Sequence, residues 1–163
     1  MADDILARID TSTGRRVLGV GSMWLLAFLV IAVALLTPPS FGWQVFLILI
    51  GGVALYIGEV MRRATDVSVE LTESGLRDSA GVLIAEMDNI ASIDRGMFAF
   101  KPSNGFLLRT TTRAPFHWRP GVWWRYGKSI GVGGMTPAGQ AKAMSEIIAI
   151  KLAQREAEQN SDH

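Results

Sequence analysis

Residues 113–128, RAPFHWRPGVWWRYGK, gather the side chains with most to offer a partner. Phe116, Trp118, Trp123, Trp124 and Tyr126 are interleaved with Arg113, Arg119, Arg125 and Lys128. Trp, Tyr and Arg dominate the energetics of protein interfaces. Trp and Tyr also settle at the headgroup layer of a membrane, and each Lys or Arg near an anionic surface adds about 1 kcal/mol. Arg113, Trp118, Arg119, Trp123, Trp124, Arg125, Tyr126 and Lys128 are therefore candidates for contact with protein or with lipid, made by a loop. A third reading makes the aromatics core and the arginines a solvated rim. Aromatics with arginines also stack nucleic-acid bases, but no recognition motif accompanies them, and nucleic acid is not an expected partner.

The rest of the chain offers little to catalysis. It has no cysteine, which removes thiol nucleophiles, thiolate metal ligands and disulfides. His117 and His163 are its two histidines. His117, between two aromatics and without a second His or Cys, reads as structural rather than as a metal ligand. GVGGM (131–135) precedes a helix start, where anions can bind, but it lacks both phosphate-loop spacing and a following Lys, and it reads better as a turn. We expect no catalytic residue, no metal and no cofactor, and no enzymatic activity.

The formal net charge of +1 hides a strong asymmetry. From Arg95 through Ser145 there is no Asp or Glu, while Arg95, Lys101, Arg109, Arg113, Arg119, Arg125, Lys128 and Lys142 fall there. The acids Asp66, Glu70, Glu73, Asp78, Glu86, Asp88 and Asp94 precede that stretch.

Two apolar runs must position this segment. Val17–Leu36 and Phe41–Val60 are each 20 residues long, separated by TPPS, and the only charge in either is Glu59. Twenty helical residues cross about 30 Å of hydrocarbon. The expected arrangement is a cytoplasmic tail (1–16), a transmembrane helical hairpin (17–61), a cytoplasmic domain (65–158) and a frayed tail (159–163). Arg8, Arg15 and Arg16 before the hairpin, Arg62 and Arg63 after it, and an uncharged tip place both termini in the cytoplasm. Pro38 and Pro39 suit the tip. A cleaved signal peptide ending at Ala32-Val33-Ala34 is the rival reading; Asp3, Asp4 and Asp10 and the immediate second span count against it. Gly51, Ala54 and Gly58 form a small-residue face. It fits packing on the first helix or on a partner's helix.

Beyond the hairpin, Asp66–Thr72 alternates with period two, which predicts a half-buried strand. Short strands are expected at 75–78, 82–87, 97–101, 106–112 and 129–132, with a helical turn or bent strand at 89–94. Thr136 then reads as an N-cap with Pro137 at the first helical position. Met144, Ile147, Ile148 and Leu152 make the apolar stripe of a helix running to about Glu158.

The stretches VELTESGLRDSAG, LIAEMDNIASID, FLLRTTT and IGVGG, followed by a helix, resemble the bacterial pleckstrin-homology-like domains that follow paired membrane helices. The resemblance covers residues 65–155. It implies an α+β membrane protein in which a partly open β-barrel is capped by its C-terminal helix, in the bacterial inner (cytoplasmic) membrane. It also implies a binding or scaffold role without inherited catalytic residues. The expectation is a non-enzymatic accessory, assembly or stabilising subunit of an integral membrane protein complex. The alternative is a sensor of anionic phospholipid that uses residues 113–128.

Overall fold

The structure, a computed structural model, describes residues 4–37, 39–94 and 102–161. Pro38 and the strand expected at 97–101 lie outside the described residues. Two compact units emerge: residues 13–64 form one, and residues 1–12 with 65–163 form the other.

The first unit is a helical hairpin of α1 (Thr13–Leu36) and α2 (Phe41–Ala64). Both helices are long and apolar enough to cross a membrane. Val20, Ala27 and Ala34, seven residues apart, are the buried residues of α1, and Gly51, Ala54, Gly58 and Ala64 are those of α2. Small residues at a seam let two backbones approach and gain dispersion contacts. A Cβ on Gly51 would stand 2.5 Å from Ile31, and one on Gly58 would stand 2.6 Å from the Trp24 indole. The face offered above as a surface for a partner's helix is thus filled from within the hairpin. Near the tip, Gln44 donates to the carbonyl of Ala34 at 3.0 Å, serving one of the last carbonyls of α1. At the other end, Glu59 accepts from Arg62 (2.8 Å) and Arg63 (2.7 Å) one turn on.

The second unit is α+β. Strands β1 (Ile5–Ile9), β2 (Val69–Thr72), β3 (Gly75–Asp78) and β4 (Leu83–Glu86) form an antiparallel meander. A 3₁₀ turn (Met87–Asn89) leads to β5 (Ile90–Asp94), and β5, β6 (Phe106–Arg119) and β7 (Trp123–Val132) form a second antiparallel sheet. Helix α3 (Ala138–Ser161) packs on β1, β5 and β6. Among the described residues the domain is two antiparallel sheets with a C-terminal helix, and closure of the partly open barrel expected from the resemblance is not shown.

The segment read as a tail is corrected at its centre. Ile5–Ile9 is a strand, Ile9 pairs with Val69, and Ile9 lies in the core with Leu71, Leu76, Ile84, Phe106, Leu108, Trp123 and Ile130. Thr13–Arg16, also assigned to that tail, already belong to α1. The helical hairpin is therefore inserted between two neighbouring strands of one sheet. The segments flanking it are held within the domain: Asp10 donates its backbone N–H to Gln140 (2.9 Å), Ser12 to Met135 (2.8 Å), and the Thr11 hydroxyl to the Thr65 carbonyl (2.6 Å).

The stripe on α3 is as expected, with Met144, Ile148 and Leu152 buried and Ile147 packed beside them. Lys151 pairs with Glu73, and Arg155 donates to the carbonyls of Met87, Asp88 and Ile90, so α3 also holds the bend between the sheets. Residues 89–94 resolve into the end of the 3₁₀ turn and a strand, the second of the two readings offered for them.

Candidate functional site

Residues 113–128 are not a loop. They are the distal halves of β6 and β7, joined by a tight turn at 120–122. Pairing runs from Phe106–Val132 to Arg109–Ser129, slips, touches at Ala114–Gly127, slips again, and resumes through His117–Arg125, Trp118–Trp124 and Arg119–Trp123. The slips let the polar Thr110–Arg113 stretch bulge and give Pro115, which has no N–H, a place outside regular pairing. Gly127 takes φ +59° at the bend, where a side chain would be strained. The β6–β7 arm then folds back. Val122 accepts from the N–H of Gly133 and Gly121 from that of Met135, both at 2.8 Å.

Because side chains alternate across a strand, this register sorts the candidates onto two faces. The inner face carries His117, Arg119, Trp123 and Arg125. Trp123 is 1% exposed and belongs to the core. His117 stacks on it, with centroids 4.7 Å apart and planes 7° from parallel. Arg119 Nε lies 3.0 Å from Asp78 Oδ2, and the Asp78 side chain is fully buried. Asp78 Oδ1 in turn accepts from the N–H groups of Ala80 (3.1 Å) and Val82 (2.9 Å), which orients the carboxylate and shapes the β3–β4 turn. Arg125 donates to the carbonyls of Leu83 (2.9 Å), Ile84 (3.0 Å) and Pro115 (3.2 Å). Leu83 and Ile84 belong to β4, the edge of the first sheet. A guanidinium thus occupies carbonyls that an exposed edge would offer to another chain. Three of the eight candidate interface residues, Arg119, Trp123 and Arg125, are in this way used to fasten the arm to the first sheet.

The outer face carries Phe116, Trp118, Trp124 and Tyr126. Phe116 is 67% exposed, Trp118 57% and Tyr126 71%. Phe116 and Tyr126 meet edge to face, with centroids 6.3 Å apart at 73°. Trp124 is half-buried, its indole lying where a Cβ on Gly131 would come within 2.4 Å. Arg113 and Lys128 are exposed on the same arm. Phe116 was absent from the candidate residues. Its signal was the alternation itself: Phe116-x-Trp118 and Trp124-x-Tyr126 place four aromatics on one face as soon as the segment is read as two strands.

The backbone of GVGGM is occupied. Gly133 and Met135 donate to the turn at 121–122, and Gly134 donates to the Ser103 carbonyl at 2.8 Å. These N–H groups serve the turn reading, not an anion. The depression beside the start of α3, about 580 Å³, is lined by Asn104, Gly105, Ala141, Lys142, Ser145 and Glu146. There the Ser145 hydroxyl donates to the carbonyl of Lys142, a bond within the helix. Among the described residues, no three His, Cys, Asp or Glu side chains converge as a metal site would require.

Comparison with protein-family models, with curated proteins and with solved structures returned no match. The likeness to pleckstrin-homology-like domains is therefore one of general shape: two apolar helices, then two antiparallel sheets and a C-terminal helix.

Proposed function

We propose that this chain is a non-enzymatic, membrane-anchored interaction module, built on a pleckstrin-homology-like scaffold and serving as an accessory or assembly subunit of an integral membrane protein complex. The observation that carries the reading is the outer face of the β6–β7 arm. Phe116, Trp118 and Tyr126 stand more than half exposed on one face of a two-stranded element. Large aromatics exposed together mark a surface that another molecule covers, and Trp and Tyr are the usual anchors of such surfaces.

Protein is favoured over lipid as that molecule. Arg119 and Arg125 are engaged with Asp78 and with β4, which leaves Arg113 and Lys128 as the exposed cations of residues 113–128. At about 1 kcal/mol per cation, the electrostatic attraction of the arm to an anionic leaflet is roughly half of what its sequence promises.

Attachment through the hairpin rests on two 24-residue apolar helices. If these cross the bilayer, residues 4–12 and 65–161 must lie on one side of it, because β1 pairs with β2. The excess of arginine at that end makes it the cytoplasmic side.

Photo-crosslinking in intact membranes tests the reading. A benzophenone side chain in place of Tyr126 should yield a protein adduct of one discrete mass, and Trp118→Ser in the same chain should abolish it. Adducts to phospholipid alone would favour the lipid sensor. Crosslinking to neither would remove the outer face as a functional surface.

A further inference from the structure

The first slip in the β6–β7 register gathers charge as well as bending the arm. Between the pairs Arg109–Ser129 and Ala114–Gly127, β6 sets Thr110, Thr111, Thr112 and Arg113 against the single residue Lys128. The surplus residues bulge, and the antiparallel run brings Arg109, Arg113 and Lys128 to the same stretch of the ladder. The bulge is pinned in place. Asn89 Oδ1 accepts from the N–H (3.0 Å) and the hydroxyl (2.9 Å) of Thr112, and the Thr110 hydroxyl donates to the Thr112 carbonyl at 2.8 Å.

All three cations are exposed. Among the described residues, none of their side chains makes an ion pair or a hydrogen bond, unlike Arg119 and Arg125, which are fastened to the first sheet. Their own stretch supplies no acid, because residues 95–145 contain no Asp or Glu. Glu86 and Asp88, close to Asn89 in the chain, form no ion pair with them.

These cations border the aromatic face. Lys128 follows Tyr126 by two residues, Arg113 precedes Phe116 by three, and those two rings are in contact. From Arg113 to Trp118 the strand covers at most about 17 Å. A partner matched to this face is apolar where it meets Phe116, Trp118 and Tyr126, and acidic a few residues further on. A basic rim on the partner would set like charges together, which interfaces avoid. A second copy of this chain, meeting the arm with its own arm, would bring the same cations and no carboxylate.

We propose that the outer face of the β6–β7 arm docks an acidic protein segment, its apolar side chains on Phe116, Trp118 and Tyr126 and its carboxylates on Arg109, Arg113 and Lys128. The proposal rests on the outer face being a protein-docking surface and adds the chemistry of the partner.

The test uses the full-length chain in intact membranes with a benzophenone side chain in place of Tyr126. The yield of protein adduct should fall about tenfold in Arg113→Glu with Lys128→Glu, and about threefold with Gln at both positions, as exposed charge pairs at an interface rim imply. Lys142→Glu, a charge reversal on α3, should leave the yield unchanged. The peptide captured from the partner should carry at least two Asp or Glu within about ten residues of the crosslinked position, a span an extended segment needs to reach from the rings to the cations. Replacing those acids by Lys should lower the yield with the wild-type arm and restore it with the charge-reversed arm, which an unfolded arm could not do. Equal yields from the wild-type and charge-reversed arms overturn the proposal. So do a captured peptide without acids, indifference of the wild-type arm to Lys in the partner, and an adduct joining two copies of this chain. The protein-docking surface survives each of these results. Absence of any protein adduct from the wild-type arm removes that surface, and the acidic partner with it.

Discussion

Ile9→Ala is the sharpest available test of the architecture, because the segment around Ile9 reads locally as a tail. Ile9 is fully buried, at 0% exposure, in the core shared by both sheets and α3. The substitution removes three carbons, worth about 2.4 kcal/mol in transfer free energy at about 0.8 kcal/mol each. The cavity left in a packed core adds to that, and the usual range for Ile→Ala is about 2–5 kcal/mol. We expect about 3–4 kcal/mol. Pulse proteolysis of the full-length chain in detergent across a urea series would measure it, since cleavage reports the unfolded fraction of the domain. With an m-value of about 2 kcal/mol/M for a domain of this size, the midpoint should fall by about 1.5–2 M. Ile5 lies on the same strand but is 48% exposed, so Ile5→Ala should cost under about 1 kcal/mol and move the midpoint by less than about 0.5 M. Equal, small shifts for the two variants would refute the pairing of β1 with β2.

Three further outcomes are expected. Gly51→Leu should destabilise the detergent-solubilised chain by about 1–3 kcal/mol through overpacking and so lower its thermal aggregation temperature, because Ile31 fills that space; Gly52→Leu, where nothing lies within 4 Å, should not. Asp78→Asn keeps an acceptor for Ala80 and Val82 but removes the charge facing Arg119, and should cost about 2–3 kcal/mol by urea midpoint, with Asp78→Ala about 1–2 kcal/mol worse for the lost turn bonds. Trp123→Ala should cost about 3–5 kcal/mol, whereas Phe116→Ser, Trp118→Ser and Tyr126→Ser should each cost under about 1 kcal/mol, because those rings stand in solvent.

What could be read locally was read well. The two apolar runs and the Met144–Leu152 stripe each declare themselves within one element; the period-two stretch ending at Thr72 declared a strand but not its burial, since β2 (Val69–Thr72) is buried on both faces rather than half-buried. β1 could not, since ILARI is five residues long and pairs with a strand some 60 positions away. The length of β6 was masked by the polar Thr110–Arg113 stretch and by Pro115, both accommodated where the register slips. At the site, the concentration of aromatics and cations was visible, but its sorting was not. Whether an arginine in this arm faces a partner or its own fold depends on Asp78 and on the carbonyls of β4, groups that no local pattern connects to it.

The insertion of the helices between β1 and β2 has a temporal side. As the chain is made, β1 emerges first, yet its partner Val69–Thr72 follows only after both helices have been synthesised. During that interval Ile9 and the strand's hydrogen-bonding groups have no native home, a state that invites misassociation. Sheet completion must therefore wait for the hairpin to leave the ribosome, so both long helices are made before the domain's core can close. The same logic says how to obtain the domain in water. A fragment beginning at Thr65 would lack a strand, whereas residues 4–12 joined by a short flexible linker to residues 65–161 would restore it, and would close the β1–β2 contact over a far smaller loop.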